Sequence, residues 1–150
     1  MNINEFISNL RATTDALIQS IEQTTLIASN DAIALLQQRV QETGIDANGN
    51  AFEDYTPAYK KSKTKKGKYS GHVDLTVSGE MWRSIGITEE RGENGIYTAV
   101  IGGRDENTKD LIKYNSDHRN FMILSESEIK TITDIYEENI TNDFVKILFR

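Results

Sequence analysis

Val73-Asp74-Leu75-Thr76-Val77-Ser78-Gly79-Glu80-Met81-Trp82-Arg83-Ser84-Ile85 is the stretch on which the fold turns. Its first five residues alternate apolar and polar, the pattern of a half-buried strand. Ser78-Gly79-Glu80 then opens a short helix carrying Met81, Trp82 and Ile85, with Ser78 placed to cap it and Gly79 to allow a close backbone turn. Beyond it, the β-rich segments Ile85 to Thr88 and Ile96 to Ile101 flank a loop containing Asn94-Gly95, a strong hairpin signal. A strand, a small helix and a hairpin in this order need larger helices to cover them, and the flanks supply those.

Upstream, apolar residues from Ile3 to Val40 recur at spacings of three and four, with no Pro or Gly before Gly44. The stripe weakens around Thr24-Thr25 and Ser29-Asn30-Asp31, so the expectation is two helices, or one helix kinked there. Gly44 stands where a helix C-terminal cap belongs, and Gly44-Ile45-Asp46-Ala47-Asn48-Gly49-Asn50 reads as a tight turn. Asp46, Asn48 and Asn50 resemble the opening of a calcium loop. Ala51 and Pro57 occupy the positions where that motif needs glycine and its bidentate acid, so a turn is the reading. Downstream, residues 111 to 124 read as short irregular pieces, and Ser125 with Glu128 forms a capping box ahead of a helical stripe through Ile129, Ile132, Tyr136, Ile140, Phe144 and Ile147. The fold class is α+β: N-terminal helices, a small antiparallel β-sheet with a long extended loop, and a C-terminal helix.

The chain has 150 residues, the size of a single domain spanning 1–150. A chain of this length buries about 68–70% of its unfolded surface and needs no disulfide to fold. There is no cysteine, which excludes thiol catalysis and thiolate-held metal centres. No apolar run is long enough to span a membrane, and the first residues lack the look of a secretory signal. The net charge of −6 hides a segregation, because Lys60, Lys61, Lys63, Lys65, Lys66 and Lys68 place six positive charges in nine residues. The remainder carries 11 basic residues against 23 acidic ones, a net of −12. That is not the broad basic face of a general nucleic-acid binder. Residues 52 to 70 are read as a flexible basic loop, pinned at its base by Phe52, Tyr55 and Tyr59, whose spacing of three and four suggests a short turn around Tyr55 to Lys61, with its lysines ordered against a neighbouring protein or DNA phosphates. Trp82, the only tryptophan, reads either as core or, with Arg83 beside it, as a candidate interface anchor, since aromatic residues and Arg dominate interface hot spots.

Constellations for catalysis are sparse. His72 and His118 lie 46 residues apart in polar surroundings, a poor start for a triad or a two-His metal site. A metal-dependent nuclease can be drawn from Glu128 and Lys130 with Asp110 or Asp117. Acids at the start of a helix, however, are what its dipole favours.

Four motifs in order carry a family resemblance: Gly44-x-Asp46-x-x-Gly49-x-x-Phe52; the loop Tyr55-Thr56-Pro57-Ala58-Tyr59-Lys60; Leu75-Thr76-x-Ser78-Gly79-x-Met81; and Arg119-x-Phe121 with Leu124-Ser125 before the last helix. Spread over about residues 30 to 140, they resemble the virion-morphogenesis proteins of tailed phages, the small neck and tail-completion proteins that join head to tail. The resemblance implies a structural virion protein rather than an enzyme, without cofactor, made in the host bacterial cytoplasm and located at the head–tail junction or tail end of the virion. It implies a homo-oligomeric ring around the DNA channel, with portal, connector or tail proteins as neighbours and DNA passing non-specifically. A tail terminator or tail-completion role in the same family is the alternative.

Overall fold

A computed structural model describes residues 2–76, 78–93 and 95–149. The fold is α+β: five helices and one two-stranded antiparallel sheet among these residues. Helix α1 (Ile3–Thr43) is a single continuous helix of 41 residues, not two. Its start is a capping box in which the Asn2 side chain accepts from the Glu5 N–H at 2.9 Å and Glu5 accepts from the Asn2 N–H at 2.8 Å. At the predicted break, Ser29 donates to the Thr25 carbonyl and Asn30 to the Leu26 carbonyl, each four residues back. These side chains bond within the running helix instead of capping a new one. Gly44 ends it at φ 65°, where a Cβ would stand 2.7 Å from the His72 ring, so both conformation and space demand glycine.

The polar region after the turn contains helix α2 (Pro57–Lys65), which corrects the reading of 52 to 70 as a flexible loop. Pro57 sits at the start of the helix, where its missing N–H costs nothing, and Lys63 and Lys65 complement the dipole in the last turn. Residues 73 to 76 are not a strand, which corrects the second reading; Val77, the last residue of that run, lies outside the described residues. Leu75 has φ 50°, and its N–H donates to the Tyr55 hydroxyl oxygen rather than to a neighbouring strand.

Helix α3 (Glu80–Ser84) follows, capped by Gly79 at φ 77°. Ser78 is therefore not the cap: its hydroxyl lies a long 3.4 Å from the Glu80 N–H. Strands β1 (Ile85–Glu93) and β2 (Ile96–Gly103) pair from Ile85↔Gly103 to Glu93↔Ile96, with a bulge between Ile87 and Glu89. Asn94 of the turn signal lies outside the described residues; its neighbour Gly95 has φ 78°.

Residues 111 to 119 of the stretch 111 to 124, which reads as irregular, instead belong to helix α4 (Glu106–Arg119). Asp105 caps it, accepting from the Thr108 N–H at 2.8 Å, and Asn120 closes it in the left-handed conformation. Helix α5 (Glu126–Leu148) begins with the predicted capping box, Ser125 with Glu128.

Helices α1 and α5 lie antiparallel, as two pairings along their length show. Ser20 donates to Asp143 at 3.1 Å, and Arg39 bonds Glu128 at 2.9 Å. The core gathers at the carboxyl half of α1, where Leu36 and Val40 meet Phe52, Val73, Leu75, Met81, Trp82, Ile85 and Phe121. It is small. Residues 2–12 of α1 are all exposed, as are most side chains of β1 beyond Ile87.

Candidate interaction site

The six lysines are sorted by α2 into different environments. Lys63 points inward and is 3% exposed, whereas Lys61 and Lys65, two residues to either side, share the opposite face and lie in solvent. Lys66 and Lys68 continue the exposed group. Lys60 pairs with Asp54 at 2.5 Å and lies 5.0 Å from the centre of the Tyr69 ring. The Asp54 carboxylate and then the Tyr69 hydroxyl push its pKa up to about 12. The same bond holds Asp54 below its ordinary value.

Around Lys63 a compact ionic cluster fastens α2 to the irregular strap 70–76. Lys63 Nζ donates to Asp74 Oδ1 at 2.5 Å and to the Thr76 carbonyl at 2.8 Å. Asp74 also accepts from the Tyr55 hydroxyl at 3.0 Å, the Thr76 N–H at 3.0 Å and the Ser70 hydroxyl at 3.2 Å. Burial opposes the charge on Asp74, yet the bonds from Lys63, the Thr76 amide and Tyr55 outweigh it and keep its pKa below the ordinary carboxylate value. Burial, reinforced by the facing Asp74 charge, pushes the Tyr55 phenol well above its ordinary value. The strap is also tied to the end of α1: Gln41 donates to the Thr76 hydroxyl at 3.0 Å, and the His72 ring meets the Gln41 carbonyl at 2.8 Å.

Phe52 is buried in the core, and Tyr55 and Tyr59 are half-buried, edge to face at 4.9 Å. A groove of about 520 Å³ runs beside them, lined by Tyr55, Tyr59, Leu75, Met81, Leu111 and Tyr114 among others. Trp82 does not serve as a surface anchor. It is 4% exposed and packs edge to face on Phe121 at 5.6 Å, while Arg83 stays in solvent. The turn residues behave as read: Asp46 accepts from the Asn48 and Asn50 N–H groups, both at 2.9 Å, and Gly49 adopts φ 84°.

Two residues of the nuclease alternative, Glu128 and Lys130, are occupied otherwise. Glu128 is buried and holds Arg39 and the Ser125 N–H, and the exposed Lys130 pairs with Asp134 at 2.6 Å. Among the described residues no group of three or more His, Cys, Asp or Glu is placed to hold a metal ion, and no helix is long and apolar enough to cross a membrane.

Sequence reasoning missed Arg39 and Asp74. Arg39 donates to Glu128, to the Ile45 carbonyl at 2.7 Å and to the Ile123 carbonyl at 2.6 Å, drawing the end of α1, the turn and the start of α5 together. Their ion-pair partners, Glu128 for Arg39 and Lys63 for Asp74, lie 89 and 11 residues away, where no local pattern links them. No family model, characterised protein or solved structure matches the chain.

Proposed function

We propose that the chain is a structural virion protein of a tailed phage, a head–tail joining subunit that forms a homo-oligomeric ring in the neck around the DNA channel. The reading rests on the ordered motifs between Gly44 and Ser125 and on one structural observation. Large apolar side chains stay exposed on three separate elements: Ile3, Phe6, Ile7 and Leu10 on α1, Ile96 and Val100 on β2, and Val145 and Leu148 on α5. A subunit that keeps so much apolar surface outside a small core is suited to neighbours that cover it. The open edges of a two-stranded sheet point the same way, since such a sheet is marginal alone. The portal, connector or tail proteins above and below would be further neighbours, and a tail terminator uses the same features.

Negative-stain microscopy of the purified protein tests this reading, together with antibody labelling of virions. Ring particles and label at the head–tail junction or tail end are the expected results. Protein that stays monomeric and is absent from purified virions overturns it.

A further inference from the structure

Helix α4 packs Ile112 against the core but turns Leu111 and Tyr114 toward the groove beside α2, where they are 37% and 62% exposed. With Asn115, His118 and Arg119, at helical spacings of three and four, they give the groove one continuous helical face. Leu75 and Met81, both buried, close its bottom. That bottom is fixed in advance: Leu75 is held at φ 50°, a costly conformation for leucine, with its N–H given to the Tyr55 hydroxyl oxygen at 3.0 Å. A volume of about 520 Å³ lies within the range of about 300–1,000 Å³ usual for preformed binding sites.

Arg119 is the unfinished part of this groove. Its guanidinium lies 5.8 Å from the centre of the Tyr55 ring. Among the described residues it makes one side-chain hydrogen bond, from Nη1 to Asn115 Oδ1, at a long 3.4 Å. Its Nε is buried and bonded to nothing. A buried donor without an acceptor is costly, and the fork of a guanidinium is shaped to take a carboxylate. The groove's own acids do not supply one. Asp54 is tied to Lys60, and Glu53 and Glu80 stand exposed at the rim.

We propose that the groove binds an extended peptide segment of a partner protein, one that carries an aromatic side chain, a carboxylate two residues further on and a base beside them. Arg119 takes the carboxylate. Tyr59, Tyr114 and Leu111 offer ring faces and aliphatic surface to the aromatic side chain. In an extended chain, side chains two residues apart share a face, so ring and carboxylate enter together. The rim acids Glu53 and Glu80 would repel a bare anion, whereas a base next to the carboxylate answers them. A chain passing through, rather than a small molecule enclosed, suits a groove that leaves Thr56, Ser78 and Tyr114 open to solvent. Three of the ordered motifs contribute to it, through Tyr55, Leu75 and Arg119. The exposed apolar residues that support the ring reading lie on α1, β2 and α5 and take no part, so either reading can fail without the other.

The probe is the peptide acetyl-Lys-Phe-Gly-Asp-amide, titrated into the full-length protein by calorimetry and by NMR. Saturable binding is the expected result. It should weaken at least about tenfold when the peptide's Asp becomes Asn, its Phe becomes Ala or its Lys becomes Glu. Arg119→Gln and Tyr114→Ala in the protein should weaken it as much, with the thermal transition of each variant recorded alongside. Should Arg119→Gln not fold, the exposed Tyr114 and the altered peptides decide without it. No saturable binding up to about 5 mM overturns the proposal, since specific recognition begins near the millimolar range. Equal binding of the Asn peptide overturns it, as does binding that neither protein variant weakens. N-acetylphenylalanine binding as tightly as the peptide also overturns it, by making the groove a site for a small aromatic acid. Ring particles without peptide binding overturn it and leave the ring reading standing; peptide binding by a protein that forms no rings upholds it and counts against the ring.

Discussion

Lys63 Nζ lies 2.5 Å from Asp74 Oδ1, and the two side chains keep only 4% and 11% of their surface in solvent. The most basic segment of the chain is thus anchored by its one inward lysine. Removing either partner leaves the other buried without its counter-charge, which typically costs about 3–5 kcal/mol. Lys63→Ala and Asp74→Ala should each destabilise the protein on that scale in urea titrations. Lys63→Met with Asp74→Leu should be markedly more stable than the sum of the two single losses. Simple additivity would show that the pair is not coupled.

The same carboxylate sets an acid limit. Asp74 has a folded-state pKa below its ordinary value of 3.8, so the unfolded chain binds its proton more readily. Its contribution is fully present above that value and is lost as pH falls through the lower folded value. Melting temperature should therefore drop on acidification below about pH 4, and Asp74→Asn should lose part of that dependence. An identical acid profile in the two proteins would contradict the assignment.

Two helix starts give contrasting expectations. Asp105 accepts from the Thr108 N–H and also takes the Ser84 hydroxyl, which holds its pKa below the ordinary value. Asp105→Ala should cost about 0.5–2 kcal/mol, the usual range for a lost cap. Ser78→Ala should change stability by only a few tenths, because Gly79 holds the cap position. Differential scanning calorimetry of both variants decides the order.

Glycines 86 and 103 both stand where an added Cβ would collide, but with different neighbours. At Gly86 it meets the Arg104 guanidinium, the free end of a flexible side chain, whereas at Gly103 it meets the backbone of Thr108 and Lys109 at 2.8–2.9 Å. Gly103→Ala should cost about 1–3 kcal/mol through displacement of α4 from β2, and Gly86→Ala clearly less. Equilibrium unfolding of the two proteins measures the difference.

What was legible in the sequence followed from local chemistry. Helix α5 announced itself through Ser125 and Glu128, the hairpin through its β-rich flanks, and the end of α1 through Gly44. Helices α2 and α4 were hidden because each buries almost nothing apolar: Lys63 is the buried residue of one and Thr108 of the other. A periodicity search sees apolar stripes and passes over both. The alternation at Val73 to Thr76 misled for the opposite reason. It looked like a strand, but Val73 and Leu75 are buried in the core while Asp74 is drawn to Lys63. Six adjacent lysines likewise looked equivalent until the turn of α2 set one apart.

Arg39 joins its own helix to Ile123 and Glu128 across sequence separations of 84 and 89 residues. Those bonds close far longer stretches of chain than the helix ladders, caps and hairpin, which form quickly. The guanidinium can seat only after α5 has returned along α1; if that return follows the rate-limiting step, its bonds act on unfolding rather than on folding. Its weight then falls on how long the native state lasts. A lysine in its place would leave refolding almost as fast as before and shorten the lifetime of the folded chain.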